Sequence, residues 1–165
     1  YPAQQVNPVI KIWRTNEGQD VGDSIADPNE FPIVATTYRM VEHWQAGGMS
    51  RWLEWLAETH PEMFVEMSEE LAEEKGIRNG ERVKVSSARG EIEVVAIVTK
   101  RFKPFQVNGK TVHQVGMPWH FGWGGGSDAP ALAIGATAND LTPHVGDGNT
   151  TIPEYKAFLV NVEKA

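Results

Sequence analysis

The strongest constraint on this chain is a series of short, apolar, strand-length segments punctuated by tight-turn chemistry. Arg82-Val83-Lys84-Val85-Ser86 alternates apolar and polar residues, as does the start of Ile92-Glu93-Val94-Val95-Ala96-Ile97-Val98, and Arg89-Gly90 lies between them. Period-two alternation puts successive side chains on opposite faces, so the pair predicts a hairpin with one buried face. Phe105-Gln106-Val107 and Thr111-Val112-His113-Gln114-Val115 flank Asn108-Gly109, which accepts the positive φ of a two-residue turn. Phe31 to Thr37, Phe64 to Met67 and the closing run Ala157 to Val162 bring the set to roughly six strands. Strands this short with frequent hairpins predict a mainly β fold, a small closed barrel.

Two short helices are inserted early. Met49, Trp52, Leu53 and Leu56 recur at spacings of three and four, which predicts a helix packing that face on the barrel, with Ser50 as its cap. Thr59-His60-Pro61 ends it, because proline restricts the residue before it. Ser68 caps a second helix with Glu69 and Glu70 in its first turn; Leu71 and Ala72 face inward and Gly76 stops it. Residues 1–30 read as an irregular arm, with a short strand at Val9 to Trp13 and turn chemistry at Asp27-Pro28-Asn29-Glu30. The barrel domain is assigned to residues 31–165.

Composition excludes several classes of function. The net charge of −7 argues against a surface that coats nucleic acid, though one bound anion needs only a few local donors. With no cysteine, the chain has no disulfide, no iron–sulfur ligation and no thiol nucleophile of its own. No apolar run approaches the roughly 20 residues of a membrane span, so no direct membrane insertion is expected. His43, His60, His113, His120 and His144 lack helical metal-ligand spacing, and no serine has a nucleophile-elbow context. The start at Tyr1 reads as a processed chain or an excised piece.

What remains is ligand holding. Thr36 to Arg51 packs hydroxyls, Arg39, Glu42, His43, Gly47-Gly48 and Arg51 between a strand and a helix-like segment. A loop in that position offers backbone N–H groups to an anion, and Arg39 and His43 supply directed donors. Met117-Pro118-Trp119-His120-Phe121-Gly122-Trp123-Gly124-Gly125-Gly126 reads equally as a stacking surface or a surface loop. On residues alone, Asn139 holds a turn and Lys156 is a solvated charge. Gly146 to Thr151 lacks the carboxylate spacing of a calcium loop.

Thr37-Tyr38-Arg39-Met40-Val41-Glu42-His43-Trp44-Gln45-Ala46-Gly47 resembles the opening of the cofactor-binding domain of molybdopterin oxidoreductases, the dimethyl-sulfoxide-reductase family. Phe64 to Ser68, Gly76-Ile77, Ser87-Ala88-Arg89-Gly90, Ala138 to Pro143 and Pro153-Glu154-Tyr155-Lys156 are similar to it in the same order. Within the family, Val107-Asn108-Gly109, Gly146-Asp147-Gly148-Asn149 and Ala157 to Ala165 look most like formate dehydrogenase alpha (catalytic) subunits.

The resemblance implies a double-psi β-barrel that clasps bis(molybdopterin guanine dinucleotide) carrying molybdenum or tungsten. The implied cofactor contacts are Thr37, Tyr38, Arg39, Met40, His43, Trp44, Gln45, His120, Phe121, Asn139, Tyr155 and Lys156. Relatives usually carry glycine where Tyr38 stands, and often histidine and threonine at Gln45 and Ala46. The metal ligand and the iron–sulfur cluster would lie in upstream domains of the same catalytic subunit, so this stretch holds no catalytic residue and is not expected to oxidise formate alone. An iron–sulfur beta subunit and a periplasmic location, with a cytoplasmic one as the alternative, are implied as well. The competing readings are the same domain of a nitrate or polysulfide reductase, or a free-standing barrel that binds a nucleotide or a protein.

Overall fold

The computed structural model describes residues 26–122, 135–143, 152–153 and 155–165. The expected strand at Val9 to Trp13, the rest of the arm before Ala26, and the loops Trp123 to Gly126 and Gly146 to Thr151 lie outside the described residues. The strands are β1 (Ile33–Tyr38), β2 (Phe64–Ser68), β3 (Arg82–Ser86), β4 (Glu91–Thr99), β5 (Phe105–Val107), β6 (Lys110–Val112), β7 (Gln114–Pro118) and β8 (Phe158–Lys164). The helices are α1 (Glu54–Thr59) and α2 (Glu69–Lys75).

Six strands close into a barrel in the order β1-β7-β2-β4-β3-β8. β1 runs parallel to β7 and β2 parallel to β4; the other four contacts are antiparallel. Two parallel neighbours in a closed sheet separate this barrel from an up-and-down meander and agree with the double-psi expectation. Alternation fixes the register. Val83 sits opposite Val94 and Val85 opposite both Ile92 and Val162, all buried, while Lys84 points outward to Glu163 at 2.8 Å. A slip of one residue would turn Lys84, Glu93 and Asn161 into the core, and each buried Val or Ile is worth about 1.5–3 kcal/mol.

α2 follows expectation: Ser68 Oγ accepts from the Leu71 N–H at 3.1 Å, and Gly76 closes the helix at φ +64°. Asn108 and Gly109 turn at φ +50° and +77°, but their hairpin, β5–β6, forms its own two-stranded sheet outside the barrel. The expected strand from Thr111 to Val115 breaks at His113, whose carbonyl accepts from the Val34 N–H at 3.0 Å, and β7 joins the barrel from there.

The helix expected from Met49 to Leu56 is a correction. The segment is a chain of turns, with Ser50 N–H bonding Gly47 O and Leu53 N–H bonding Ser50 O, and helix begins only at Glu54. Met49, Trp52, Leu53 and Trp55 are exposed; Ala57 is the buried residue of α1. Periodicity failed because the segment is anchored by a buried cation. Arg51 turns inward and is fully buried, which leaves the apolar face outside.

Candidate functional site

β1 and β7 end together. Tyr38 pairs with Pro118, and the Trp119 N–H donates to Tyr38 O at 3.0 Å. The two strands then feed adjacent loops, 39–48 and 119–122. A side chain stitches the loops together: His120 Nε2 accepts from the Met40 N–H at 2.7 Å. That acceptance requires a neutral ring with its proton on Nδ1. Burial, and then the positive fields of His43, Arg39 and Arg51, push the His120 pKa down to about 4.

Next to it, His43 is buried with its ring centroid 5.4 Å from that of His120. His43 Nδ1 lies 3.1 Å from Ser50 Oγ, which also accepts from the Trp44 N–H at 2.8 Å. Arg51 Nη1 lies 3.3 Å from His43 Nε2 and donates to the His60 carbonyl at 2.7 Å, while the guanidinium sits 4.3 Å from the Phe121 ring centroid. Burial first, then the Arg51 charge, lowers the His43 pKa. Gly47 is required here: at φ +87°, a Cβ would come within 2.9 Å of the Arg51 side chain and 3.0 Å of His120 O.

The strand end at Thr37 gathers the last segment. Thr37 Oγ1 donates to Tyr155 O at 2.9 Å, and Lys156 Nζ donates to Thr37 O. Burial, with the Arg39 charge second, lowers the Lys156 pKa. The Tyr155 ring lies 4.8 Å from that of Trp119. Trp119, with Ala46, Gly48, Phe121, Thr137 and Asn139, lines a cavity of about 310 Å³.

The structure therefore brings Thr37, Arg39, Met40, His43, His120, Phe121, Asn139, Tyr155 and Lys156 to one end of the barrel. Within it, Phe121 and His43 are buried, and Arg39, Gln45, Asn139 and Lys156 reach solvent. Tyr38 turns elsewhere: its hydroxyl donates to Glu66 at 2.8 Å. Trp44 is exposed; its backbone N–H donates to Ser50 Oγ and its carbonyl accepts from the Gly47 N–H. Sequence reasoning did not single out Glu66 and Thr137, and it read Ser50 as a helix cap and Arg51 as part of the ligand-holding stretch, whereas both support the loop from beneath. A carboxylate inside the apolar strand Phe64-Val65-Glu66-Met67 was the available signal for Glu66.

Chemically, the rim concentrates Arg39, Lys156 and backbone N–H groups on a chain whose net charge is −7. Such a site suits a multiply charged anion flanked by flat rings. The described residues contain no group of three or more His, Asp or Glu side chains arranged for a metal ion.

His120 predicts an acid-sensitive rim. Its ordinary pKa in an unfolded chain is about 6.5. Between that value and about 4, the unfolded state holds more protons, so stability is full above pH 6.5 and is lost as pH falls toward 4. His43, lowered in the same direction, adds to this. A shift of this size corresponds to about 3 kcal/mol for a buried ring, most of it lost by pH 4.5. Urea unfolding at pH 7 and pH 4.5 should show that loss. His120→Gln, which keeps an acceptor and cannot titrate, should shrink it; parallel losses in both proteins would refute the assignment.

The class these features define is a closed β-barrel domain with a ring-lined pocket at its rim. The chain belongs to the molydopterin dinucleotide binding domain family, which matches residues 33–159. It is 52% identical over 162 residues to a formate dehydrogenase subunit alpha of Megalodesulfovibrio gigas, covering 96% of this chain and 15% of that one. It is 48% identical to formate dehydrogenase 2 subunit alpha (cytochrome c-553) of Nitratidesulfovibrio vulgaris and 46% identical to the nitrate-inducible formate dehydrogenase major subunit of Escherichia coli, in each case covering 100% of this chain and 15% of the relative. Acetylene hydratase from Pelobacter acetylenicus shares the fold, with a TM-score of 0.62 at 14% identity, over 84% of this chain and 19% of that one. The chain thus spans about 15% of the length of the relatives it matches.

Proposed function

We propose that this domain holds one face of a bis(molybdopterin guanine dinucleotide), with molybdenum or tungsten, inside a formate dehydrogenase catalytic subunit that oxidises formate to carbon dioxide. The observation that supports the reading is that Asn139 lines the rim cavity with Trp119 and Phe121, while Lys156, bonded to Thr37 and within the field of Arg39, lies at the adjoining end of β1 and Arg39 lines a neighbouring cavity with Met40 and Glu42. The residues present fit such a group. Arg39 and Lys156 are placed to neutralise diphosphate oxygens, the backbone of 39–48 offers N–H donors, and Asn139 beside Phe121 and Trp119 offers an amide and rings to a purine. The bound cofactor would supply the redox chemistry, and this domain's part is orientation and charge neutralisation.

Two features keep the rim set for that task. Lys156 is fixed at Thr37 before any ligand arrives, and His120 ties the 39–48 loop to the 119–122 loop. Both reduce the ordering cost of binding. The remaining cofactor walls, the iron–sulfur cluster and the metal ligand belong in this reading to other domains of the same subunit, with an iron–sulfur beta subunit as electron partner. In this reading the subunit works on the periplasmic side, in anaerobic respiration. Among the described residues, no helix is long and apolar enough to cross a membrane.

Titrating guanosine diphosphate into the 165-residue chain while following amide shifts tests the site. Arg39, His43, Asn139 and Lys156 should shift together with a dissociation constant on the order of 1 mM, since only one wall is present. Lys156→Ala and Asn139→Ala should each weaken binding about 5–10-fold, the loss of one hydrogen bond to a charged or polar partner. Shifts confined to β5–β6 or to α2 would overturn the reading.

A further inference from the structure

The chain contains two Asn-Gly pairs, Asn79-Gly80 and Asn108-Gly109. Glycine leaves its own peptide nitrogen unshielded, so in each pair that nitrogen can attack the preceding side-chain amide. The structure separates the two. Asn79-Gly80 is stitched to β4: Asn79 Oδ1 accepts from the Val98 N–H at 2.9 Å, and the Gly80 N–H donates to Ala96 O at 2.8 Å. The surrounding turn is closed by Glu81 N–H to Arg78 O at 3.1 Å and by Arg78 N–H to Glu81 Oε2 at 2.8 Å. Both the amide and the attacking nitrogen are thus committed to the barrel.

Asn108-Gly109 has no such ties. It is the two-residue tip of β5–β6, at φ +50° and +77°. Among the described residues, neither the Asn108 side chain nor the Gly109 N–H has a hydrogen-bond partner. The two strands are exposed except at Val112, and Gln106 Nε2 donates to Thr111 Oγ1 across them at 2.9 Å. A two-stranded hairpin standing by itself is marginal in water, so its tip opens often. Its feet are held. Lys103 Nζ donates to Glu70 at 3.1 Å, Gln114 Nε2 donates to Lys103 O at 3.0 Å, and His113 Nε2 lies 3.1 Å from Glu74 Oε2, with both carboxylates on α2. Opening is therefore confined to the stretch between Lys103 and His113.

We propose that Asn108 is a deamidation site whose side-chain amide is lost as the hairpin tip opens, while Asn79 is spared. Because the hairpin forms its own sheet outside the barrel, the site is independent of the cofactor reading. In the open tip, the Gly109 nitrogen gives its proton to solvent hydroxide and attacks Asn108 Cγ. The N–Cγ bond forms, the Cγ–Nδ2 bond breaks, and the amide nitrogen leaves as ammonia after taking a proton from water. A five-membered cyclic imide results, and one water then opens it. Opening at Cγ gives aspartate; opening at the main-chain carbonyl gives isoaspartate. Overall one water is consumed and one ammonia released, with no change of oxidation state. Aspartate adds one negative charge to a net of −7 and still tolerates the left-handed backbone of the turn. Isoaspartate routes the main chain through Cγ. That inserts one extra carbon into a loop whose length sets the register, so the pairs Val107–Lys110 and Gln106–Thr111 are lost. β7 stays in the barrel, because the bonds at Lys103, His113 and Gln114 lie beyond the altered turn.

The test is to age the 165-residue chain at mildly alkaline pH and follow it by peptide mass mapping and by methylation with an isoaspartyl O-methyltransferase. Conversion at Asn108 should run at least about 10-fold faster than at Asn79, the difference set by how often each turn opens. Asn108→Gly keeps a residue suited to the turn and removes the amide, so the methylation signal should vanish. Gln106→Cys/Thr111→Cys places a disulfide across a directly opposed pair. Oxidised, it should slow conversion at Asn108 at least about 5-fold by holding the tip closed, and reduction should restore the parent rate. The aged protein should keep its thermal midpoint while amide exchange quickens from Phe105 to Val112. Equal rates at the two asparagines overturn the assignment, as does a methylation signal as strong in Asn108→Gly as in the parent. So does an oxidised disulfide variant that converts as fast as its reduced form.

Discussion

Arg51→Met is expected to destabilise the domain by about 3 kcal/mol and to loosen the 39–51 loop selectively. Arg51 is fully buried. Its guanidinium donates to the His60 carbonyl at 2.7 Å, faces His43 Nε2 at 3.3 Å and lies over the Phe121 ring. Methionine matches the volume and keeps the contact with Phe121, so the packing loss is small. What is lost is the donor. Two buried acceptors, the His60 carbonyl and His43 Nε2, then lack one of their partners, at about 1–3 kcal/mol each. Relief from burying a guanidinium works the other way, and burial does lower the Arg51 pKa. The estimate of about 3 kcal/mol is the difference between these opposing effects. Arg51→Lys should recover less than half, because an ammonium cannot bridge both acceptors in the plane the fork provides. Urea unfolding measures the stability. Amide exchange should quicken at residues 43–51 and remain slow in β3 and β4. A variant as stable as the parent would mean that burying the charge cancels everything its bonds supply.

Glu66→Ala is expected to cost about 2–3 kcal/mol and to free the Tyr38 ring. Glu66 is buried on β2, where it accepts from Tyr38 Oη at 2.8 Å, Thr99 Oγ1 at 2.9 Å and Arg101 Nε at 2.9 Å. The Arg101 side chain is 67% exposed, so solvent screens the ion pair and little of the cost lies there. Most of it comes from two hydroxyls left without their acceptor. The loss also propagates through the ring. Tyr38 and Phe102 both occupy the space a Cβ would take at Gly116, at 2.6 and 2.5 Å, so Gly116 gives the ring a flat backbone bed. Burial, and then the bond to Glu66 and its negative charge, hold the Tyr38 phenol well above the ordinary tyrosine range. In Glu66→Ala, alkaline titration at the tyrosinate band should therefore show an additional tyrosine ionising closer to pH 10. Glu66→Gln should fall between, since its amide oxygen still accepts from one hydroxyl. An unchanged titration would show that Glu66 does not govern Tyr38.

Most of the barrel was legible in the sequence because its signals are local. Alternation in Arg82 to Ser86 and at the start of Ile92 to Val98, the Ser68 cap, Gly76 and Asn108-Gly109 each act within a few residues, and each appears where expected. The order of strands was not readable from periodicity, since β1 meets β7 and β8 across long separations; the resemblance supplied only the type of barrel. The failure at Met49 to Leu56 has the same origin. Helical spacing is a prior that tertiary contacts override, and here one inward-turned arginine, held by residues 8 and 9 positions away, outweighed four apolar side chains. The rim residues Asn139 and Lys156 were ambiguous alone, a turn residue and a surface charge. Their meaning comes from Phe121 and Thr37, neighbours that only the closed barrel provides. Tyr38, which the resemblance placed among the cofactor contacts, is instead engaged by Glu66.

The pairing of β1 with β8 bears on how the molecule is made. Ile33 lies opposite Val160 and Ala35 opposite Phe158, so the earliest described barrel strand in the sequence is closed by the latest. Until that partner emerges, β1 and β3 each carry an open edge, and the polypeptide waits in a state that invites capture by a holding chaperone. Closure of the sheet thus waits for β8, and a product truncated before Phe158 would carry two adhesive margins.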